Sequence, residues 1–572
     1  MVAYLRNFLV CLILVLLVAI GKLAYDGRIS RIFRGPAATV AGSQAGSRAK
    51  LPADPSQAGG PNNTSAVDAD DPSDDIESEN IDTTDDTPPR SAKGPPNQSE
   101  PSHANPFVPP PDGENFLLTA DDATNRVAAE MFEVLADRPL LVVWLIDRTP
   151  SAEPLRTAVV TRLDQVYQKL AELRAAEHAA FTGREQPLLS AVGAFAKELS
   201  WITPEPTADE AAVAQALLSI TEDAGHQEGT FAAIDEAATK YLKFRPAERR
   251  RVMIVVVTDE VGDDQERLDA LVLRLRKEPL SLSVIGVAAP LGRSETLSAV
   301  VQIESWQKVK QGPESLSSEL IDLEYIGMSH GPDPIDSGFG PFALVRLCKE
   351  TGGRYWAVRH DRNPTRIGPA VSAIRFDPQV MARYAPDYVS RNGYESLLDE
   401  NRARRALVEA AKLPRVDVAS TFKLEFVKKD EAGLKRLLDE GQRLAARTEP
   451  KLRTFYAALA PGEADRPRLS GRRWQAEFDL AMGRILAARA RVEGYNALLA
   501  QLKQGRNFPD PKHSTWVLKS AATIQGDSNL EKMIAQAHKY LERVATEHPD
   551  TPWAMLAKRE LQSPMGWEWT SR

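Results

Sequence analysis

The stretch Leu140-Leu141-Val142-Val143-Trp144-Leu145-Ile146-Asp147-Arg148-Thr149-Pro150-Ser151 decides the fold. An unbroken apolar run ends at a carboxylate. Such a run, without polar alternation, fits a strand buried on both faces, which is the habit of parallel sheets. The polar residues after it then lie on the loop at the strand's carboxyl end, where open α/β sheets bind their ligands.

Downstream the pattern alternates. Arg156 to Arg174 places Val159, Leu163, Val166, Leu170 and Leu173 at helical spacing. A shorter apolar run, Leu188 to Phe195, precedes helices over Asp209 to Ile220 and Phe231 to Leu242. A second strong strand, Val252 to Val257, is followed by a helix from Gln265 to Lys277 and a strand from Leu280 to Ala288. A helix from Phe342 to Glu350, the Gly352-Gly353 stop and a strand from Arg354 to Val358 close the series. Strands alternating with helices predict an α/β domain with a doubly wound, mainly parallel sheet.

Chemistry gathers at the strand ends. Asp147, Thr149 and Ser151 form a D-x-T-x-S loop, Gly229-Thr230 opens a middle helix, and the strand Val252 to Val257 ends in Thr258-Asp259. Carboxylates and hydroxyls make an all-oxygen donor set, which suits Mg²⁺, Ca²⁺ or Mn²⁺ rather than zinc. The alternative is a metal-free loop cluster, with the carboxylates capping backbone groups.

The order and spacing of these elements resemble a von Willebrand factor A (vWA) domain with its metal-ion-dependent adhesion site. Asp147, Thr149 and Ser151 match the first motif of that site, Thr230 the second and Asp259 the third. The run Leu347-Cys348-Lys349-Glu350-Thr351-Gly352-Gly353-Arg354-Tyr355 is similar to the family's last helix and strand. The resemblance implies a Rossmann-like fold, a divalent cation on those five residues, and a protein partner that completes the coordination with an acidic side chain. This sequence departs from the family pattern at three places. Thr149 stands for a serine, Pro150 restrains the loop, and Glu260 stands for a glycine with Asp263 and Asp264 close behind. The added carboxylates could strengthen cation binding or repel an acidic partner.

Outward from the domain the chain divides as 1–34, a membrane anchor or signal segment; 35–114, an acidic and proline-rich linker; 115–375, the vWA domain with an insertion at about 293–340; and 376–572, an all-α region. Phe8 to Tyr25 is apolar apart from Lys22. It just reaches the roughly 17 residues that a spanning helix requires if Lys22 snorkels. It reads as a single-pass transmembrane helix, with a cleaved signal peptide as the alternative. The segment therefore suggests a membrane protein with its bulk outside the cytoplasm, although the cluster Lys22, Arg28, Arg31 and Arg34 argues for the reverse orientation; the vWA resemblance is to membrane proteins of the bacterial type. The linker carries DADDPSDDIESENIDTTDD and few branched apolar or aromatic residues, too little to offset the entropy of ordering. The insertion carries Trp306, an apolar stretch from Leu320 to Met328 and a polar run from Ser329 to Asp336; it reads as a specificity loop or as an unstructured excursion.

Beyond Asp377 the pattern is helical. Trp474, Phe478, Met482, Ile485, Val492, Tyr495, Leu499 and Leu502 keep the spacing of one amphipathic face. Ala537 to Val544, the turn at Pro549 and Trp553 to Ala557 resemble a tetratricopeptide-type helix pair, without a second copy that would support an array. Trp567 and Trp569 read as packing residues.

The net charge of −8 excludes the basic surface that nucleic-acid binding demands. The two cysteines, Cys11 and Cys348, are too far apart in character to frame a disulfide fold. Neither H-E-x-x-H, nor G-x-S-x-G, nor a phosphate-binding glycine loop is present, so the sequence gives no catalytic residue and the expected function is not enzymatic. The leading expectation is cation-dependent protein binding. An accessory subunit of an AAA+ ATPase of the MoxR or chelatase type and a metal-free scaffold are the alternatives.

Overall fold

Strand β1 (Leu140–Asp147) is buried along its whole length, as its apolar run requires. Around it, in chain order, lie α1 (Ala120–Asp137), α2 (Glu153–Ala175), β2 (Leu188–Phe195), β3 (Leu199–Trp201), α3 (Glu210–Leu218), α4 (Thr230–Tyr241), β4 (Arg251–Thr258), α5 (Leu268–Leu275), β5 (Leu280–Val287), α6 (Phe342–Glu350) and β6 (Tyr355–Val358). The computed structural model describes residues 105–107, 119–225, 227–244, 249–292, 312–323, 335–358, 376–418, 421–522 and 528–572.

The sheet order is β3-β2-β1-β4-β5-β6, and every pairing is parallel except β2 with β3. Alternate residues of β1 face opposite cores. Leu140, Val142, Trp144 and Ile146 pack with Val127, Met131 and Phe132 of α1 and Val159, Leu163 and Val166 of α2. Leu141, Val143 and Leu145 pack with Phe231 and Ile234 of α4, Leu271 and Leu275 of α5 and Leu344 of α6. Each such fully buried side chain contributes about 1.5–3 kcal/mol relative to exposure. Polar groups buried beside β1 are paired: Trp144 Nε1 donates to Tyr167 Oη at 2.7 Å, and Tyr167 Oη lies 2.8 Å from Ser190 Oγ.

The Gly352-Gly353 stop works as the sequence suggests. Gly352 has φ of 73°, and Gly353 N–H returns to Cys348 O at 2.9 Å, which ends α6. A Cβ built on Gly353 would collide with the backbone of Leu282 in β5. Gly353→Ala is therefore expected to lower stability by about 1–3 kcal/mol, read as a shift in the urea midpoint. An unchanged midpoint would show that β6 can move away from β5.

The remainder is mainly helical: α7 (Pro378–Ala382), α8 (Arg391–Glu400), α9 (Arg402–Ala411), α10 (Glu431–Leu459), α11 (Arg472–Lys503), α12 (Ser528–Glu547) and α13 (Pro552–Gln562). A small antiparallel sheet adds to them, in the order β7 (Glu425–Val427), β8 (Thr515–Ala521) and β9 (Gly566–Ser571). The spacing predicts one apolar face for α11, but the helix is buried all round. Ala476, Ala487 and Ala490 let its neighbours approach, while Asp479 pairs with Arg466 and Arg543 and Arg491 pairs with Glu560. Trp567 packs on Phe422 and Tyr495, and Trp569 on Phe426 and Trp516, as expected of packing residues.

The described parts of the insertion belong to the helical core. Ile321, Leu323, Ile335 and Phe339 are buried with residues of α9 and α11. Glu314 and Glu319 both pair with Arg473 of α11, Tyr394 Oη donates to Glu319 at 2.9 Å, and Val416 N–H donates to Asp322 O at 3.1 Å. Neither a mobile excursion nor a free specificity loop describes 312–323. Trp306 and Ser329 to Pro334 lie outside the described residues.

The single-pass transmembrane localisation expected from the sequence is withdrawn. Among the described residues no helix is long and apolar enough to cross a membrane. The segment 8–25, on which that expectation rested, and the linker 35–104 lie outside them.

Candidate metal centre

The sheet order reverses between β1 and β4, so a crevice opens at their carboxyl ends. Asp147 ends β1 and Thr258 ends β4. Asp147 Oδ1 accepts from Thr149 N at 2.8 Å and Thr149 Oγ1 at 2.7 Å; Asp147 Oδ2 accepts from Thr258 Oγ1 at 2.7 Å. Arg156, on the first turn of α2, donates to the carbonyls of Asp147 and Thr149 at 3.1 and 3.0 Å, which fixes the loop that Pro150 would otherwise leave without a backbone donor. Thr149 Oγ1 stands 3.2 Å from Ser151 Oγ, and Ser151 Oγ donates to Asp259 Oδ1 at 3.4 Å.

The structure thus brings Asp147, Thr149, Ser151 and Asp259 together, while Thr230 is buried as the first residue of α4. It also adds a residue that the motif reading leaves out. Oxygens of Asp147, Glu228 and Asp259 lie within 4.8 Å of one another, and all three residues are buried. Thr149 Oγ1 reaches Glu228 Oε1 at 3.3 Å. The signal was a carboxylate two residues ahead of Thr230, in Glu228-Gly229-Thr230. Thr258, read only as part of a strand-end motif, proves to be a donor that orients Asp147.

Asp263 and Asp264 do a different job from the one their charge suggested. Asp263 Oδ2 accepts from Glu228 N at 3.1 Å, and Asp263 N–H donates to Glu228 O at 2.8 Å. Asp264 accepts from Phe231 N at 3.1 Å and Ala232 N at 2.7 Å, capping the first turn of α4 from another loop. Gly262, with φ of 81°, allows this crossing: a Cβ there would come within 2.9 Å of Thr230 Cβ.

Packing three carboxylates together out of water is costly unless something positive joins them. Burial pushes Asp147 above the ordinary carboxylate range, with the hydrogen bonds from Thr149 and Thr258 pulling it back. Asp259 is pushed up to about 8 by burial and then by the charges of Asp147 and Glu260. Glu228 is pushed up to about 10 by burial, then by Asp147, Glu260 and Asp259. Two buried oxygens, Glu228 Oε2 and Thr230 Oγ1, have no protein hydrogen-bond partner. Glu228 Oε2, within a carboxylate cluster, has electron pairs that no protein donor meets, and a hard cation fits it. Zinc does not fit, since no histidine or cysteine joins the group.

No family model and no curated protein matches the chain. Among solved structures the chain is similar to the conserved hypothetical protein BatB from Bacteroides thetaiotaomicron, at 18% identity over 39% of this chain and 92% of that one, with a TM-score of 0.22. It is also similar to the SpRpn10 VWA domain, at 13% identity over 26% of this chain and 75% of that one, with a TM-score of 0.19. A further likeness is to the ArnB paralog VWA2 from Sulfolobus acidocaldarius, at 14% identity over 26% of this chain and 35% of that one, with a TM-score of 0.17. The fold class rests on the sheet itself: the observed strand order, the antiparallel edge β3 and the helices on both faces make a doubly wound, mainly parallel α/β domain, followed by a mainly helical region.

Proposed function

We propose that the chain is a non-enzymatic protein-interaction module whose α/β domain binds a divalent cation at the β1–β4 crevice. The observation that carries this reading is the buried Asp147, Glu228 and Asp259 cluster with unpartnered Glu228 Oε2 and Thr230 Oγ1. Asp147, Thr149, Ser151, Thr230 and Asp259 would hold the ion, which would be Mg²⁺, Ca²⁺ or Mn²⁺. When bound, such an ion supplies a coordination position for an oxygen of a partner protein, an acidic side chain in the scheme that the vWA resemblance implies. Thr258 and Arg156 keep the Asp147 loop rigid, so the donor oxygens are in place before the ion arrives.

Isothermal titration of the full chain, stripped of metal with chelator, tests the reading. Binding of at least one of Mg²⁺, Ca²⁺ and Mn²⁺ below millimolar concentration is expected, with loss in Asp147→Ala. Absence of heat for all three ions, or an Asp147→Ala profile identical to the parent, would replace it with a metal-free scaffold.

A further inference from the structure

The geometry points to Glu228 as a resident anionic ligand of this site, one that strengthens cation binding and weakens the site's affinity for a carboxylate from outside. The inference rests on the cation reading above and deepens it by naming what limits the partner.

Three observations place Glu228 in that role. Its position is built, not incidental. Both backbone groups of Glu228 are held by Asp263, through bonds of 3.1 and 2.8 Å. The next residue, Gly229, donates to Ala196 O at 2.8 Å, and a Cβ there would lie 2.6 Å from Lys197 O. The loop is therefore clamped from two sides, and the closeness on one of them requires glycine. Its side chain is buried against the cluster, with Oε1 on Thr149 Oγ1 at 3.3 Å and Oε2 without any protein partner. An uncompensated carboxylate oxygen would not persist in that place unless something else completes its bonding.

The charge count then sets the chemistry. Once ionised, as cation binding requires, Asp147, Glu228 and Asp259 carry one more negative charge than a divalent cation neutralises. Glu260 adds a fourth carboxylate whose field reaches both Glu228 and Asp259. An incoming carboxylate therefore meets an ion whose charge is already spent, in a crevice where like charges are weakly screened. A neutral oxygen, from an amide, a carbonyl or a hydroxyl, meets no such opposition. Partner carboxylates bind well only if Glu228 is neutralised or withdrawn.

The test compares the full-length parent with Glu228→Gln and Glu228→Asp, using Ca²⁺ and Mn²⁺ as ions and acetate as the carboxylate probe. Glu228→Gln should weaken Ca²⁺ binding by about 10–100-fold in calorimetry. Water-proton relaxation of bound Mn²⁺ should rise in that variant, as a water takes the vacated place. Acetate should then displace that water at about tenfold lower concentration than in the parent. Glu228→Asp keeps the charge and should keep the parent's resistance to acetate, so a folding defect in one variant does not decide the matter. If the parent binds cation and Asp147→Ala does not, yet Glu228→Gln leaves affinity and relaxation unchanged, Glu228 is no ligand and the inference falls alone. Weakened Ca²⁺ binding with an unaltered acetate response would overturn its carboxylate half. Failure of the parent to bind any cation would instead remove the reading beneath it.

Discussion

Arg473→Met is expected to destabilise the chain by about 3–5 kcal/mol. Arg473, on the first turn of α11, is buried, as are its partners Glu314 and Glu319. Its Nε donates to Glu319 at 2.6 Å, and its NH2 pairs with Glu314. Glu314 also accepts from Gly292 N with both oxygens at 2.8 Å. Burial already pushes Glu319 upward, and the Arg473 charge is the chief influence holding it down. Methionine would fill the volume and leave two carboxylates facing each other without a cation. The damage should be local as well as global, because these contacts fasten 312–323 to α11. Hydrogen exchange should show loss of protection there before α12 or α13 open. Adding Glu314→Gln and Glu319→Gln should recover part of the loss, since a neutral buried network costs less than a broken charged one. Full retention of the denaturant midpoint in Arg473→Met, with unchanged exchange at 312–323, would show that apolar packing of Ile321 and Leu323 suffices.

That network also shows where sequence reading stops. The strands β1 and β4 are legible because burial on both faces leaves no room for polar residues, so their runs announce themselves. Strand β3 is three residues long and half-buried, too short for any period to register. Strand β7 pairs with β8, and β8 with β9, across intervening helices, and nothing local signals such a pairing. Helix α11 misleads for a different reason. Arg473, Glu477, Asp479, Arg484 and Arg491 are charged residue types that are seldom fully buried, yet the structure buries all five. Apart from Arg466 beside Asp479, the partners named above lie on segments far away in the chain, and pairing at such distances is invisible to periodicity. The metal centre divides the same way. Asp147, Thr149 and Ser151 stand two residues apart on one loop and could be read as a unit. Glu228 becomes part of the site only because Asp263 and Gly229 fix its loop, which is a property of the fold.

Raising the pH should destabilise the metal-free chain, and a divalent cation should reverse that trend. The sign follows from the protons. Glu228 and Asp259 titrate in the folded chain at about 10 and about 8, while in the unfolded chain they return to the ordinary carboxylate range, about 4. Between those limits the folded state holds protons that the unfolded state releases. Stability contributed by these groups is therefore fully present below about pH 4 and is lost as the pH climbs through about 8 and then about 10. A cation needs the ionised carboxylates, so its affinity rises over the same window. At a free concentration about a hundredfold above its Kd, it stabilises the fold by about 2.7 kcal/mol. Melting temperature against pH, in chelator and then in millimolar Ca²⁺, separates the two regimes. The chelated parent should melt lower at about pH 9 than at about pH 6, and the gap between the chelated and Ca²⁺ curves should widen with pH. Glu228→Gln should flatten the chelated curve, because a neutral amide has no proton to lose. Parallel curves at every pH would mean that cation binding does not draw on these carboxylates. A chelated curve equally steep in Glu228→Gln would move the pH dependence to Asp147 and Asp259 alone.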